Sequence, residues 1–284
     1  METKKLAIAI PASVISDTPH LREKTSKIGL IGRTAAIFRV DEIIVYNDNP
    51  KANQHQNADL IATLLTYMET PQYLRKRLFE IEQKLRYAGI LPPLRTPHHP
   101  LNRKAGNLRV GEYREGVTLS RTKEGTLVDI GVENPALLRE TRWALDKRLT
   151  LQIISAGERV EVQTVSRDEI PYYWGYTVTV ENHSFRRLVQ SGEFDLTIAT
   201  SKLGDAFSKV AERIAGKWRK ANCTLVAFGA PSRGLHEIVR DEGANLNDLV
   251  DFVVNTVPEQ GTETVRTEEA LLASLAVFNA QFGR

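Results

Sequence analysis

The chain is short of cysteine and of long apolar runs, and each shortage excludes a class of protein. Cys223 is the only cysteine among 284 residues, so no intrachain disulfide can form and cysteine-based zinc sites are excluded. No run of about 18 apolar residues occurs, so the sequence predicts no membrane-spanning helix. Lys4-Lys5 before Leu6–Ile10 resembles a short signal sequence, but Pro11 interrupts the run, and a first buried strand is preferred. We expect a cytoplasmic protein.

Several familiar site motifs are also missing. No G-x-G-x-x-G follows a strand and no G-x-x-x-x-G-K-[ST] occurs, which argues against an ordinary dinucleotide site and a P-loop NTPase. The G-x-S-x-G elbow of many hydrolases is absent as well. The six histidines do not fall at metal-ligand spacing, and His98-His99 is interpreted as a loop element between prolines. No metal is expected.

The composition is that of a folded protein with a small positive charge. Hydrophobic residues make up 42% of the chain and charged residues 26%, which is typical of globular domains. Lys and Arg number 38 against 35 Asp and Glu, for a net charge of +3. That excess permits nucleic-acid binding without arguing for it.

Residues 1–90 alternate strands with helices. Leu6–Ile10 and Ile43–Tyr46 are short apolar runs typical of buried strands. Asn57–Met68 has the apolar spacing of a helix. A second helix is predicted after Pro71 and ends near Gly89. Its apolar stripe comprises Leu74, Leu78, Ile81 and Leu85.

Residues 91–180 change character and predict a small β-barrel of the OB type. Prolines break the helical pattern, and short alternating segments follow between turn residues. Basic residues precede the predicted barrel and aromatic residues follow it, as expected for single-stranded RNA. Packing of the aromatic residues against the foot of the barrel is the alternative. The predicted strands are Val117–Ser120, Leu127–Gly131, Leu149–Ile154, Val160–Val165 and Tyr176–Val180. The candidate RNA-binding residues are Arg95, Arg103, Lys104, Arg109, Tyr173 and Trp174.

Residues 181–284 return to strand–helix alternation. Phe194–Thr200, Thr224–Phe228 and Asp251–Asn255 are predicted strands. Asp205 and Thr267 are predicted N-caps of the helices that follow the first and the third. Such alternation makes a parallel α/β sheet. The simplest architecture joins 1–90 and 181–284 in one α/β domain, with 91–180 inserted as the barrel.

The three strands of the last block each end in a loop rich in Gly, Pro, Ser or Thr. Ligands of open α/β sheets bind beyond the carboxyl ends of the strands. Loops of this composition expose backbone groups and allow a ligand to approach closely. Together the three loops predict a small-molecule site.

The chain resembles the SPOUT (α/β-knot) methyltransferases. The resemblance is greatest to their archaeal and eukaryotic ribosomal-RNA uridine-N3 methyltransferases, which carry an OB insert. Gly32-Arg33-Thr34-Ala35 resembles the first motif of the class. The more specific stretches, in order, are Thr96–Pro100, Tyr173–Val178, Phe194–Ser201, Phe228–Leu235, Val254–Gly261 and Thr264–Ala270.

This resemblance implies a fold and a cofactor that spacing alone does not. The C-terminal segment would form a trefoil knot, a rare exception to the rule against threading. S-adenosylmethionine would bind in the knot, the enzyme would be a homodimer, and the methyl acceptor would be a base of large-subunit ribosomal RNA. The implied cofactor-binding residues are Thr200, Ser201, Gly229, Ala230, Gly234, Leu235, Asn255, Thr256, Val257, Pro258, Gln260, Gly261, Thr264, Val265 and Arg266.

Arg33 and Arg233 are the candidate catalytic residues. Methylation of uridine N3 requires loss of a proton, which calls for a general base or for a cation that stabilises the developing anion. Arg33 could be that cation, could hold a phosphate, or could form a salt bridge to a neighbouring helix. Arg233 lies in the second loop and could face the substrate. Among carboxylates, Glu259 is the nearest by motif to a general base.

Two other functions stay open on the sequence. A ribosome-assembly factor could keep the same scaffold without catalysis, and a methyltransferase could act on the ribose 2′-oxygen. Gly229, Gly234, Asn255 and Gly261 favour an enzyme, because they keep the loops fit for a cofactor.

Overall fold

A computed structural model describes residues 4–140, 143–157 and 159–283. The chain divides into two compact units, each discontinuous in sequence. The first, here the sheet unit, comprises Met1–Met68, Gln83–Pro93 and Tyr176–Arg284, and the second, the barrel unit, comprises Glu69–Glu82 and Leu94–Gly175.

The sheet unit is built on six parallel strands. The buried apolar runs at Lys5–Pro11, Glu42–Asn47 and Cys223–Ala227 are what a sheet covered on both faces requires. The spatial order is β11-β9-β10-β1-β2-β8, and each neighbouring pair is parallel. The parallel α/β sheet predicted from the sequence is therefore confirmed. The strands are β1 (Lys5–Pro11), β2 (Glu42–Asn47), β8 (Thr177–Ser184), β9 (Leu196–Ala206), β10 (Cys223–Ala227) and β11 (Phe252–Asn255).

Helices connect these strands. The basic stretch around Arg22 and Lys27, for which the sequence predicted no element, lies in a 17-residue helix. Its buried face includes Ile28 and Ile31, while Arg22 is exposed. The helices are α1 (Leu21–Ile37), α2 (His55–Glu69), α4 (Phe185–Gln190), α5 (Phe207–Trp218), α6 (Leu235–Asp241), α7 (Leu246–Leu249) and α8 (Thr267–Phe282).

The barrel unit contains a closed five-stranded barrel, as predicted. The strand order is β3-β4-β5-β7-β6, and β6 pairs with β3 to close it. Only the β5–β7 pair is parallel among the strand pairs described for this barrel. The strands are β3 (Tyr113–Arg121), β4 (Thr126–Asp129), β5 (Ala136–Leu138), β6 (Arg148–Ser155) and β7 (Glu161–Thr164).

One predicted barrel strand belongs to the sheet instead. The segment predicted as Tyr176–Val180 forms part of β8, whose residues pair in parallel with β2. The fifth barrel strand is the short β5, which the sequence analysis missed. Three residues are too few to show an alternating pattern, whereas β8 carries one at the edge of a different sheet.

The helix predicted after Pro71 is shorter than its apolar stripe. This helix, α3, covers only Gln72–Leu78, and Phe79 is already extended. Ile81 is fully exposed and Leu85 lies in a short 3-10 turn. Helical spacing of four apolar residues was therefore a misleading signal beyond Leu78, because the last two do not pack on the core.

Both predicted N-caps are displaced. Asp205 lies within β9, and Ala206 precedes α5. Arg266 is the N-cap of α8, and Thr267 is its first residue. The Thr267 hydroxyl donates instead to the carbonyl of Gly229 at 3.0 Å, a tertiary contact that the local sequence does not reveal.

The described residues include neither a membrane-spanning helix nor a cluster of metal ligands. No helix there is both long and apolar enough to cross a membrane. No group of three or more His, Cys, Asp or Glu side chains in that part of the chain could hold a metal ion.

Candidate functional site

Two of the three segments singled out from the sequence follow neighbouring strands, β10 and β11, whereas the first, Thr200-Ser201-Lys202, lies within β9, which continues to Ala206 instead of ending at Thr200. Since β11, β9 and β10 are adjacent and parallel, their carboxyl ends meet at one edge of the sheet. Open α/β sheets bind their ligands at this edge. The first loop is the stretch 200–204, where β9 leaves its ladder with β11, and the second and third loops begin after Ala227 in β10 and after Asn255 in β11.

Asn255 ties the first loop to the third. Its side-chain nitrogen donates to the carbonyl of Lys202 at 3.1 Å, and its side-chain oxygen accepts the backbone N–H of Val257 at 3.0 Å. The Lys202 ammonium in turn reaches the carbonyl of Glu263 at 3.4 Å. The first loop is thus joined to the third at two places, at Asn255 where the third loop begins and at Glu263 near its end.

Three hydroxyl groups fix the beginning of the second loop. The carbonyls of Ala227, Phe228 and Gly229 accept hydrogen bonds from Thr200 (2.9 Å), Tyr46 (2.8 Å) and Thr267 (3.0 Å). These donors come from β9, β2 and α8. Each buried bond removes a conformational choice from the loop, so its backbone is ordered before any ligand arrives.

The glycines of these loops fall into two kinds. A Cβ on Gly229 would lie 3.1 Å from the Leu235 nitrogen and 3.2 Å from the Arg233 carbonyl, so Gly229 permits a close backbone turn. A Cβ on Gly234 or Gly261 would meet nothing within 4 Å. Open space therefore borders the second and third loops where glycine leaves the backbone uncovered.

The remaining predicted cofactor residues lie on the same loops. Ser201 accepts the N–H of Leu203, Ala230 donates to Arg233, and Thr256 shares a hydrogen bond of 2.7 Å with Ser274. Gln260 donates to the carbonyls of Thr262 and Glu263. Leu235 is fully buried, Val265 is half-buried, and Pro258, Thr264 and Arg266 are exposed.

Glu259 adopts a left-handed backbone, with φ of 56°. A residue other than glycine in this region carries strain of roughly 1 kcal/mol or more, and such strain concentrates at functional sites. Its side chain is exposed.

Arg233 is held by two carboxylates. One of its nitrogens donates to the Asp48 carbonyl at 3.0 Å, and the other donates to the Asp241 carboxylate at 3.0 Å. Asp48, which is buried, also accepts the N–H of Ser13 at 3.0 Å and its hydroxyl at 2.7 Å. The guanidinium therefore connects the second loop to the ends of β1 and β2.

Sequence analysis missed Asp48, although a usable signal existed. Asp48 directly follows β2, so the strand-end rule applied to the last block would have found it. Tyr46 lies inside the same strand, and no sequence pattern reveals that its hydroxyl reaches Phe228.

Arg33 lies apart from these contacts. It follows the start of α1 by twelve residues, which is about 18 Å along the helix axis. Its guanidinium donates to the carbonyl of Pro93 at 2.9 Å. Its neighbour Gly32 is required by packing, because an added Cβ would lie 2.9 Å from Leu65 and 2.8 Å from the Tyr176 hydroxyl.

The predicted RNA-binding residues of the barrel unit divide by exposure. Arg95, Arg103, Lys104 and Arg109 are exposed, and Tyr173 is half-buried. Trp174 is only 5% exposed, and its indole N–H donates to Glu115 at 2.6 Å. Trp174 therefore packs inside the barrel unit, which was the alternative to RNA binding, and its ring has no open face for a base.

A buried carboxylate organises the barrel unit. Glu69 accepts hydrogen bonds from Arg148 at 2.6 Å and from Arg167 at 2.5 Å, and His98 lies 3.3 Å away. Burial alone would raise the pKa of Glu69, but hydrogen bonding by His98 and the charge of Arg148 outweigh it and hold the pKa well below its usual range. Glu69, Arg148 and Arg167 did not stand out in the sequence, and His98 was interpreted there only as a loop element.

The chain matches a protein-family model and several known proteins. Residues 5–278 match the family model described as "Putative RNA methyltransferase". An uncharacterised protein of Halobacterium salinarum is 32% identical over 295 residues, which cover 95% of this chain and 96% of that protein.

Animal proteins with a named activity are similar as well. A "28S rRNA (uridine-N(3))-methyltransferase" of Mus musculus is 33% identical over 301 residues, covering 95% of this chain and 75% of its own length. The Drosophila melanogaster protein of the same name is 33% identical over 307 residues, and the match spans only 61% of its length. Because the family model matches nearly the whole chain, this chain belongs to that family of RNA methyltransferases.

Proposed function

We propose that this RNA methyltransferase uses S-adenosylmethionine to methylate N3 of a uridine in large-subunit ribosomal RNA. The observation that carries the proposal is the 33% identity, over 95% of this chain, to a mouse protein named for uridine-N3 methylation of 28S rRNA.

The cofactor is proposed to bind at three loops: the stretch 200–204 within β9 and the loops after β10 and β11. Two observations fit this group: the fixed carbonyls of Ala227, Phe228 and Gly229, and the open space beside Gly234 and Gly261. S-adenosylmethionine would supply an electrophilic methyl group there. The residues proposed to hold it are those implied by the family resemblance, from Thr200-Ser201 through Gly229–Leu235 to Asn255–Arg266.

The chain's own residues would position the acceptor and stabilise its charge. N3 would give up its proton to water, and its electron pair would then form the bond to the methyl carbon as the carbon–sulfur bond breaks and the thioether leaves. A nearby cation lowers the cost of the N3 anion. Arg233 lies in the second loop, where Asp48 and Asp241 fix its direction. Arg33 is the second proposed cation and would reach the site across a subunit interface.

A homodimer is part of the proposal. Leu30 and Ile37 are more than half exposed on one face of α1, and Leu272 is 48% exposed on α8, which contacts α1. An apolar surface on two contacting helices suits a second copy of the chain.

A trefoil knot is part of the proposal, and β9 is irregular where it pairs with β11. The register of β11 passes from Ala199 to Asp205, so residues 200–204 leave the ladder and return to it. A Cβ on Gly204 would lie 2.7 Å from the backbone of Val253. This close approach is that of two neighbouring strands at the bulge, so the knot itself is proposed from the family resemblance.

The barrel is proposed to be an OB-type module that holds RNA through its exposed basic residues. Replacing Arg103 and Lys104 by alanine should weaken binding and flatten its salt dependence by roughly 0.7 per lost phosphate contact. An unchanged salt slope would remove these two residues from the proposed interface.

Methyl transfer to ribosomal RNA tests the proposed activity. The protein is incubated with methyl-labelled S-adenosylmethionine and ribosomal RNA, and the digested nucleosides are separated by mass spectrometry. We expect label in N3-methyluridine. Label in a 2′-O-methylated nucleoside would contradict the proposed acceptor atom, and no transfer together with no cofactor binding would support the assembly-factor alternative.

A further inference from the structure

One outer face of the barrel combines an exposed aromatic ring with paired amides, and no role has been assigned to it above. Leu151 and Ile153 of β6 belong to the buried barrel core, so Gln152 between them lies on the outer face. Its register partners are Tyr113 on β3 and Gln163 on β7. We call Tyr113, Gln152, Gln163 and the adjoining Tyr172 the aromatic–amide face.

Tyr172 is the exposed ring of this face. It is 46% exposed, whereas Trp174 beneath it is 5% exposed. The Tyr172 ring lies 6.0 Å from the Tyr113 ring in a T-shaped arrangement and 5.8 Å from the Trp174 ring. Two neighbouring rings therefore hold Tyr172 in place, which lowers the entropic cost of stacking a further ring on it.

The two amide side chains follow Tyr113 across the neighbouring strands, Gln152 on β6 and Gln163 on β7. Gln163 donates to Gln152 at 2.9 Å, and Gln152 faces Tyr113 across the strand pair. After that bond, the two side chains still have a donor and acceptor lone pairs for a ligand. Exposed amides beside an aromatic ring suit the edge of a base whose face is stacked on the ring.

A segment with exposed basic residues precedes the face, and Glu112 holds the end of that segment. The Glu112 carboxylate accepts the N–H of Arg109 at 3.3 Å and the Arg114 guanidinium at 2.7 Å. Burial, Tyr113 and the charge of Glu112 raise the pKa of Tyr172, as expected for a ring beside this carboxylate. Arg114 also donates to the carbonyl of Asn102 at 3.1 Å. These contacts hold the segment 101–111 in place. It carries Arg103, Lys104 and Arg109 and contains no acidic residue.

We infer that the aromatic–amide face binds single-stranded RNA, with one base stacked on Tyr172 and its edge toward Gln152 and Gln163. The inference rests on the proposed function, since it assumes an RNA substrate, and it adds a surface that the sequence prediction did not include. The exposed cations of Arg103, Lys104 and Arg109, in the segment that directly precedes Glu112 and Tyr113, favour RNA over a protein partner, and the Glu112 carboxylate is paired with Arg114.

The test measures binding of a fluorescein-labelled single-stranded RNA of about ten uridine-rich nucleotides, followed by anisotropy. Tyr172→Ala should weaken binding by on the order of tenfold at every salt concentration without changing the salt slope. Tyr172→Phe keeps the ring and should bind within about twofold of wild type. Gln163→Met keeps the side-chain length without the amide and should cost about fivefold.

Leu145→Ala is the matched control, because it removes an exposed apolar side chain elsewhere on the barrel unit. It should bind as wild type does. Circular dichroism melting checks that each variant folds, and Tyr172→Phe keeps the stacking claim testable if Tyr172→Ala does not fold.

Failure of the inference differs from failure of the proposed function. If wild type binds RNA and Tyr172→Ala binds it equally well, the aromatic–amide face is not the stacking site, while the methyltransferase proposal stands. If Tyr172→Ala and Tyr172→Phe lose affinity equally, the hydroxyl and not the ring makes the contact, which overturns stacking. Wild type that binds neither RNA nor S-adenosylmethionine would remove both.

Discussion

At the scale of single residues, Glu69 shows how one buried carboxylate can hold two arginines. Its side chain is 5% exposed, while those of Arg148 and Arg167 are 22% and 32% exposed. Removing the charge of one member of such a cluster leaves the charges of the other members unpaired in a buried site. We expect Glu69→Gln to destabilise the barrel unit by about 3 kcal/mol, measured by urea unfolding with Trp143 and Trp174 as fluorescent reporters.

Glu161→Gln provides the matched control for Glu69. Glu161 pairs with Arg139, whose side chain is 66% exposed, so solvent screens this pair. Its loss should leave the unfolding midpoint close to that of wild type. Equal destabilisation by the two variants would show that burial of Glu69 does not matter.

His99 makes the barrel unit sensitive to mild acid. Burial, with the neighbouring charge of His98, lowers the pKa of His99 to about 4. Below its unfolded pKa of about 6.5 the unfolded chain binds the proton first, so stability falls as pH decreases from about 6.5 toward 4.

The free energy of unfolding should therefore decrease by about 2 kcal/mol more between pH 7 and pH 5 in wild type than in His99→Gln. Glu69 titrates below this window, because its unfolded pKa is about 4.3 and its folded pKa is lower still. Urea unfolding at both pH values measures the difference. Parallel losses in the two proteins would contradict a buried neutral His99.

At the scale of elements, α1 depends on a glycine for its contact with α2. A Cβ on Gly32 would approach Leu65 at 2.9 Å and Met68 at 3.1 Å. We expect Gly32→Ala to destabilise the sheet unit by about 1–3 kcal/mol through overpacking, measured by urea unfolding with Trp218 as the reporter.

Gly216→Ala in α5 is the corresponding control. It has no atom within 4 Å of an added Cβ, so helix propensity should dominate. That change should stabilise the protein by about 0.5–1 kcal/mol. A stabilising Gly32→Ala would contradict the packing described for α1.

Strands and helices were predicted correctly where the residues of the periodic apolar pattern are also the ones that are buried. The buried strands β1, β2 and β10 are continuous apolar runs, and α2 shows a clear helical stripe. The stripe through Ile81 and Leu85 failed because spacing does not reveal whether a core is present to cover it. The N-cap role predicted for Thr267 failed for a related reason, since Gly229 is distant in sequence and competes for its hydroxyl.

At the scale of the whole molecule, each unit is assembled from separated stretches of chain. Composition and alternation were sufficient to predict an α/β sheet and an inserted barrel, but not that residues 69–82 group with the barrel and β8 with the sheet. Those assignments depend on long-range pairing, which local patterns do not encode. The strand-end rule placed the three loops at one edge, whereas the hydroxyl contacts that fix them required the structure.

The stretch 200–204 within β9 and the loops after β10 and β11 form the proposed cofactor site. If they bind S-adenosylmethionine, filling the open space beside Gly261 should block it, while the fold has room for the new side chain. Gly106, in the barrel unit, also has nothing within 4 Å of an added Cβ and offers a matched substitution away from the loops.

The most direct measurement is calorimetric titration of wild type, Gly261→Val and Gly106→Val with S-adenosylmethionine. We predict saturable binding by wild type and Gly106→Val, with affinity of Gly261→Val lower by roughly tenfold or more and its melting temperature little changed. Equal affinity of a folded Gly261→Val variant, or no saturable heat from wild type, would contradict the assignment of the cofactor to these loops.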